Sequence, residues 1–88
     1  MAQREFQIQN KLGIHARPAA QFVKTASRFT SDIKVEKDGE EVDGKSIMGL
    51  MMLAAGHGSS INVIIEGEDE ETAMEAIADL IDRKFEED

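Results

Sequence analysis

Two hydrophobic periods take turns along this chain, and that alternation limits its fold more than any other feature. Phe6 and Ile8 fall on one side of residues 4–9, the pattern of a short half-buried strand. From Ala19 the period changes. Phe22, Val23 and Ala26 follow at the spacing of an amphipathic helix, so residues 16–28 are expected to be helical. Pro18 is tolerable there because it sits in the first turn, where a missing N–H costs nothing. Ile33 and Val35 alternate with Asp32, Lys34 and Glu36 in a second strand. Asp38-Gly39 then signals a tight hairpin, with residues 40–43 returning and Val42 inward. Residues 45–55 read as a short helix stopped by Gly56. Ile61, Val63 and Ile65 form a fourth strand, ended by Gly67. Asp69 is placed to cap a last helix, with Glu70 and Glu71 in its first turn. Ala73, Met74, Ile77, Leu80 and Ile81 form its core stripe, and Arg83 and Lys84 suit its end. Residues 86–88 are expected to fray.

The order is therefore βαββαβα. Period-2 strands imply a sheet with one covered and one solvated face. Three helices on one face of an antiparallel sheet make an α+β, two-layer open-faced sandwich. With 88 residues and no repeat or linker, residues 1–88 are expected to form a single domain. The only aromatics are four Phe, so aliphatic side chains and Met must fill the core.

Composition excludes several functions. No Cys is present, which removes disulfides, thiolate chemistry and cysteine metal sites. Two His alone do not build a zinc site, and no metal is expected. The net charge of −8 opposes direct binding to nucleic acid or anionic membranes. No apolar run is long enough to span a bilayer, and no apolar segment follows Arg4 as in a signal peptide. A soluble, cytoplasmic protein is expected.

The chemistry concentrates in Gly13-Ile14-His15-Ala16-Arg17-Pro18. These boundaries place His15 at the helix N-cap. The first-turn N–H groups have no intrahelical partner, so those of Ala16 and Arg17 can meet an anion, and the helix dipole adds to the attraction. The same dipole disfavours an imidazolium, leaving a neutral ring nitrogen to attack phosphorus without a general base. Arg17 can then form charge-assisted bonds to the phosphoryl oxygens. A histidine that merely begins a helix would leave the same pattern, although Ser or Asp caps better. Along the helix, Arg17, Gln21, Lys24 and Arg28 share an exposed face. It is either a solvated surface or, with Ala20, a docking surface for an acidic partner.

The second helix is apolar nearly all round, yet a two-layer fold covers one side only. Some of Ile47, Met48, Met51 and Met52 are therefore expected at the surface, as a partner interface. Ser46 is a good N-cap, and a phosphoserine there would sit comfortably on a helix N-terminus. Its charge, beside the apolar cluster, is expected to weaken docking to an acidic partner. His57, between Gly56 and Gly58, reads as an exposed loop residue.

Two blocks, Gly13-Ile14-His15-Ala16-Arg17-Pro18-Ala19-Ala20 and Gly44-Lys45-Ser46-Ile47-Met48-Gly49-Leu50-Met51, resemble HPr, the histidine-containing phosphocarrier family of the bacterial sugar phosphotransferase system. Length and element order agree as well. The resemblance implies strand order 1-4-2-3 and a monomer. It implies that enzyme I phosphorylates His15 on Nδ1, with phosphoenolpyruvate as the ultimate donor. The group then passes to IIA domains, with Arg17 stabilising it and no cofactor involved. Ser46 matches the position modified by an ATP-dependent HPr kinase/phosphorylase. In Gram-positive relatives the Ser-phosphorylated form also binds a catabolite-control transcription regulator. A carrier of this kind is a stoichiometric intermediate and not a turnover enzyme. The alternatives are a regulatory phosphoprotein acting through Ser46, or a nitrogen-type phosphorelay in place of sugar import. The family's catabolite-repression paralogue lacks the active histidine, and His15 argues against that assignment.

Overall fold

A computed structural model describes residues 1–86. Its elements run β1 (Ala2–Gln7), α1 (Ala16–Ala26), β2 (Asp32–Lys37), β3 (Glu40–Asp43), α2 (Ile47–Met52), β4 (Ser60–Glu66) and α3 (Glu70–Asp82), followed by a 3-10 turn at Lys84–Glu86. The strands form one antiparallel sheet in the order β1-β4-β2-β3. Phe6 pairs with Ile61, Val35 with Val63 and Ile33 with Ile65, so one face of three strands is uniformly apolar. The helices cover that face. Phe22 and Ala26 of α1, Leu50 of α2 and Ile77 and Leu80 of α3 are buried against it. Each large aliphatic or aromatic side chain removed from water there contributes about 1.5–3 kcal/mol.

The hairpin behaves as its sequence demands. Asp38 and Gly39 both take positive φ, +52° and +85°, which is the turn whose twist matches the flanking strands. Lys37 pairs with Glu40 directly across it, and Val42, opposite Val35, packs half-buried on the core.

Four local expectations are corrected. The first strand ends at Gln7, and Ile8, though fully buried, already belongs to the following loop. Helix α1 stops at Ala26 with Ser27 as its C-cap, which puts Arg28 beyond it, stacked over the Phe29 ring at 5.5 Å. Helix α2 covers only Ile47–Met52 and ends through Leu53 and the left-handed Ala54, well before Gly56. Asp69 occupies the N-cap position of α3 but makes no side-chain cap bond, because its carboxylate is taken by Thr30 and Ser31.

The chain end also differs from expectation. After α3 the backbone turns left-handed at Lys84, Phe85 and Glu86, which swings Phe85 back into the core at 1% exposure. Glu86, expected to fray, is held by the Arg83 guanidinium at 2.6 Å. The rest of that expectation concerns residues 87 and 88, which lie outside the described residues. Among the described residues, no helix is long and apolar enough to cross a membrane.

Candidate functional site: the start of helix α1

His15 is the N-cap residue of α1, with extended backbone (φ −99°, ψ −165°) and no side-chain cap hydrogen bond. Its carbonyl accepts the first helical hydrogen bond, from Ala19 N–H at 2.9 Å. Helix geometry leaves the N–H groups of Ala16 and Arg17 without intrahelical acceptors, and Pro18 has none to offer. The first turn carries no acidic side chain, in a chain of net charge −8, so nothing there competes with an incoming anion. The imidazole is half-buried. Its Nε2 is turned into the protein, away from solvent.

The loop leading into this site is locked. Gly13 takes φ +69°, and a Cβ on it would lie 2.4 Å from the Ala55 carbonyl oxygen and 2.6 Å from Gly56 Cα. Ile14 N–H donates to that same Ala55 carbonyl at 2.8 Å. Gly58 N–H donates to the Ile8 carbonyl and Ile8 N–H to the Ser59 carbonyl, both at 2.8 Å. The buried Asn10 amide donates to the Gly13 carbonyl at 2.6 Å, and His15 N–H donates to it at 3.1 Å. Residues 8–15 are thus laced to residues 55–59, and the histidine is presented from fixed backbone. Asn10 was not singled out from the sequence. Its signal was faint: an Asn three residues before a glycine, able to bond locally.

Arg17, Ala20, Gln21 and Lys24 line a shallow open depression of about 210 Å³ on the exposed side of α1. This joins three members of the expected basic face with Ala20 and leaves out Arg28, which lies past the helix. On α2 only Leu50 is buried, and Ile47, Met48, Met51 and Met52 are exposed, as one covered face requires. Helix α2 packs beside α1, so the apolar cluster and the basic depression belong to neighbouring helices. Ser46 is the N-cap of α2, and Gly49 N–H donates to its Oγ at 3.0 Å. His57 is exposed in the loop after α2. Leu12, a large exposed apolar residue in the loop before His15, was not singled out from sequence. Among the described residues no group of His, Cys, Asp and Glu is arranged to hold a metal ion.

Fold and site define a small α+β protein that presents a histidine at an anion-receptive helix start. A family model described as the PTS HPr component phosphorylation site matches residues 2–83. The chain belongs to this HPr family of phosphocarrier proteins, components of the phosphotransferase system. It is 52% identical over 84 residues to the HPr-like protein Crh of Halalkalibacterium halodurans, covering 96% of this chain and 100% of that one. It is 49% identical over 88 residues to the phosphocarrier protein HPr of Xylella fastidiosa strain Temecula1, covering 100% and 99%. The crystal structure of HPr-C-His from Thermoanaerobacter tengcongensis superposes with a TM-score of 0.96 at 51% identity, covering 100% of this chain and 99% of that one.

Proposed function

We propose that this protein carries a phosphoryl group on His15, receiving it from enzyme I and delivering it to IIA domains of the sugar phosphotransferase system. The observation that carries the reading is the seating of His15 as N-cap of α1, with Nε2 turned inward and an acid-free first turn beneath it. In this reading the Nδ1 lone pair attacks phosphorus, forming a P–N bond. The bond between phosphorus and the donor breaks, and its electron pair leaves on the donor. The phosphoryl oxygens settle against the N–H groups of Ala16 and Arg17 and the Arg17 guanidinium. The steps reverse in direction on the acceptor, so the protein works as a stoichiometric carrier and a monomer. Catalysis here is positioning and charge stabilisation.

Docking is assigned to the two adjoining surfaces: Ala20 and Lys24 beside Arg17 on α1, and Ile47, Met48, Met51 and Met52 on α2. A basic depression next to an apolar cluster suits an acidic partner with an apolar contact surface. Labelled phosphoenolpyruvate and enzyme I test the core of the proposal. Wild-type protein takes up acid-labile label, and His15→Ala takes up none. Label persisting in the variant overturns the assignment. Arg17→Ala is expected to slow uptake about 10- to 100-fold, the worth of a charge-assisted hydrogen bond.

A second reading concerns Ser46. Its hydroxyl begins a helix whose outer face is the apolar cluster, so a phosphate there would alter the docking surface without entering the core. An HPr kinase/phosphorylase, and a catabolite-control regulator binding the product, follow from this reading. Identity to an HPr-like Crh protein is as high as to HPr itself, so residue 15 is what favours the carrier.

A further inference from the structure

Five methionines are the only sulfur in this chain, since it has no cysteine. Their placement is uneven. Met74 is 8% exposed in the core, whereas Met48, Met51 and Met52 are 74%, 43% and 69% exposed on the six-residue helix α2. Spacings of three and four residues put these three on one side of the helix, where one contact surface holds all of them. An interface that needed only apolar area could use Leu or Ile, both abundant in the core. The thioether adds a chemistry those residues lack: reversible oxidation to a polar sulfoxide.

We infer that Met48, Met51 and Met52 form a peroxide-sensitive switch on the docking face. This rests on the carrier reading above. A lone pair on the thioether sulfur attacks the distal oxygen of a peroxide, and the O–O bond breaks as the S–O bond forms. Sulfur is oxidised by two electrons, and the peroxide is reduced to water or an alcohol. The product places a strong hydrogen-bond acceptor where a partner presents apolar surface. Burying that acceptor without a donor weakens docking. The helix itself is little disturbed, because the three side chains face solvent and Leu50 alone of its residues is buried in the core. A methionine sulfoxide reductase restores the thioether.

Dilute hydrogen peroxide on the purified, folded protein tests this, with sulfoxides mapped by peptide mass spectrometry. Enzyme I-dependent phosphorylation of His15 is timed before treatment, after treatment, and after reductase. Met48 and Met52 are expected to oxidise at least tenfold faster than Met74, with phosphorylation slowed about tenfold and recovering on reduction. A triple variant, Met48→Leu, Met51→Leu and Met52→Leu, is compared with its own untreated rate and should lose nothing to peroxide, although it keeps Met1 and Met74. An unchanged rate in fully oxidised wild type, or an equal loss in the triple variant, overturns the switch while leaving the carrier intact. Untreated wild type that takes up no phosphoryl group refutes the carrier reading, and the switch with it.

Discussion

Ser31 and Asp69, 38 residues apart in sequence, are joined at the seam between the α1–β2 loop and the start of α3. Ser31 N–H donates to Asp69 Oδ1 at 3.0 Å, and the Ser31 hydroxyl donates to the same oxygen. Thr30 N–H donates to Oδ2 at 2.9 Å. These donors, the Ser31 hydroxyl foremost, hold the Asp69 carboxyl down from 3.8 to about 2.

Acid should therefore loosen this seam. A carboxyl whose value falls on folding contributes stability above its unfolded value, and that contribution is lost as pH drops through the folded one. The window runs from about pH 4 down to about pH 2. Glu36, bonded by the Asn62 amide, and Glu70, bonded by Gly67 N–H, are also held low and add to the acid sensitivity. Asp69→Asn isolates one part of it. Urea midpoints measured from pH 7 to pH 2 should be lower for the variant at pH 7 and converge with wild type at the acid end. Parallel curves would count against the seam.

Gly13→Ala should damage stability and phosphoryl uptake together. The new Cβ meets the Ala55 carbonyl and Gly56 backbone, which have no flexible side chain to give way, and φ is left-handed. A loss of about 2 kcal/mol or more is expected from chemical denaturation. Because Ile14 and His15 follow in the same laced segment, the rate of His15 labelling should fall in the fraction that remains folded. A variant with wild-type labelling kinetics would show that the lacing does not position the ring.

Ser46 offers a test that separates charge from folding. Ser46→Ala removes the acceptor for Gly49 N–H and should cost about 1 kcal/mol of stability. Ser46→Asp keeps a capping oxygen but adds a negative charge beside the exposed cluster. The aspartate variant should be phosphorylated by enzyme I several-fold more slowly, and the alanine variant at nearly the wild-type rate. The reverse ranking would mean that helix integrity, and not charge, governs docking.

Phe85→Ala should be among the most destabilising single changes, at about 3–5 kcal/mol, because the ring is fully enclosed. That is a large share of the stability of a domain this size. Thermal unfolding followed by circular dichroism measures it. A shift of only a degree or two would mean that the turn Lys84–Glu86 does not hold the ring in solution.

What the sequence by itself determined was everything carried by local periodicity and turn chemistry. The βαββαβα order, the Asp38-Gly39 hairpin, the core stripe of α3 and the N-cap positions of His15 and Ser46 were all legible, because each depends on neighbours a few residues away. The exposed face of α2 followed from counting layers. Helix ends proved less legible: Ala54 turns left-handed and Phe85 folds back into the core, both against their own backbone preferences. Only the tertiary structure decided what holds the His15 loop. Gly13, Ile14, Ala55 and Gly58 act across more than forty residues of chain, and no residue among them signals its partner. Asp69 makes the same point: its sequence neighbourhood marks a helix cap, yet Ser31 and Thr30, brought close by the fold, bind its carboxylate instead. Hydrogen-bonding capacity is written into a residue type, but the choice of partner belongs to the packed chain.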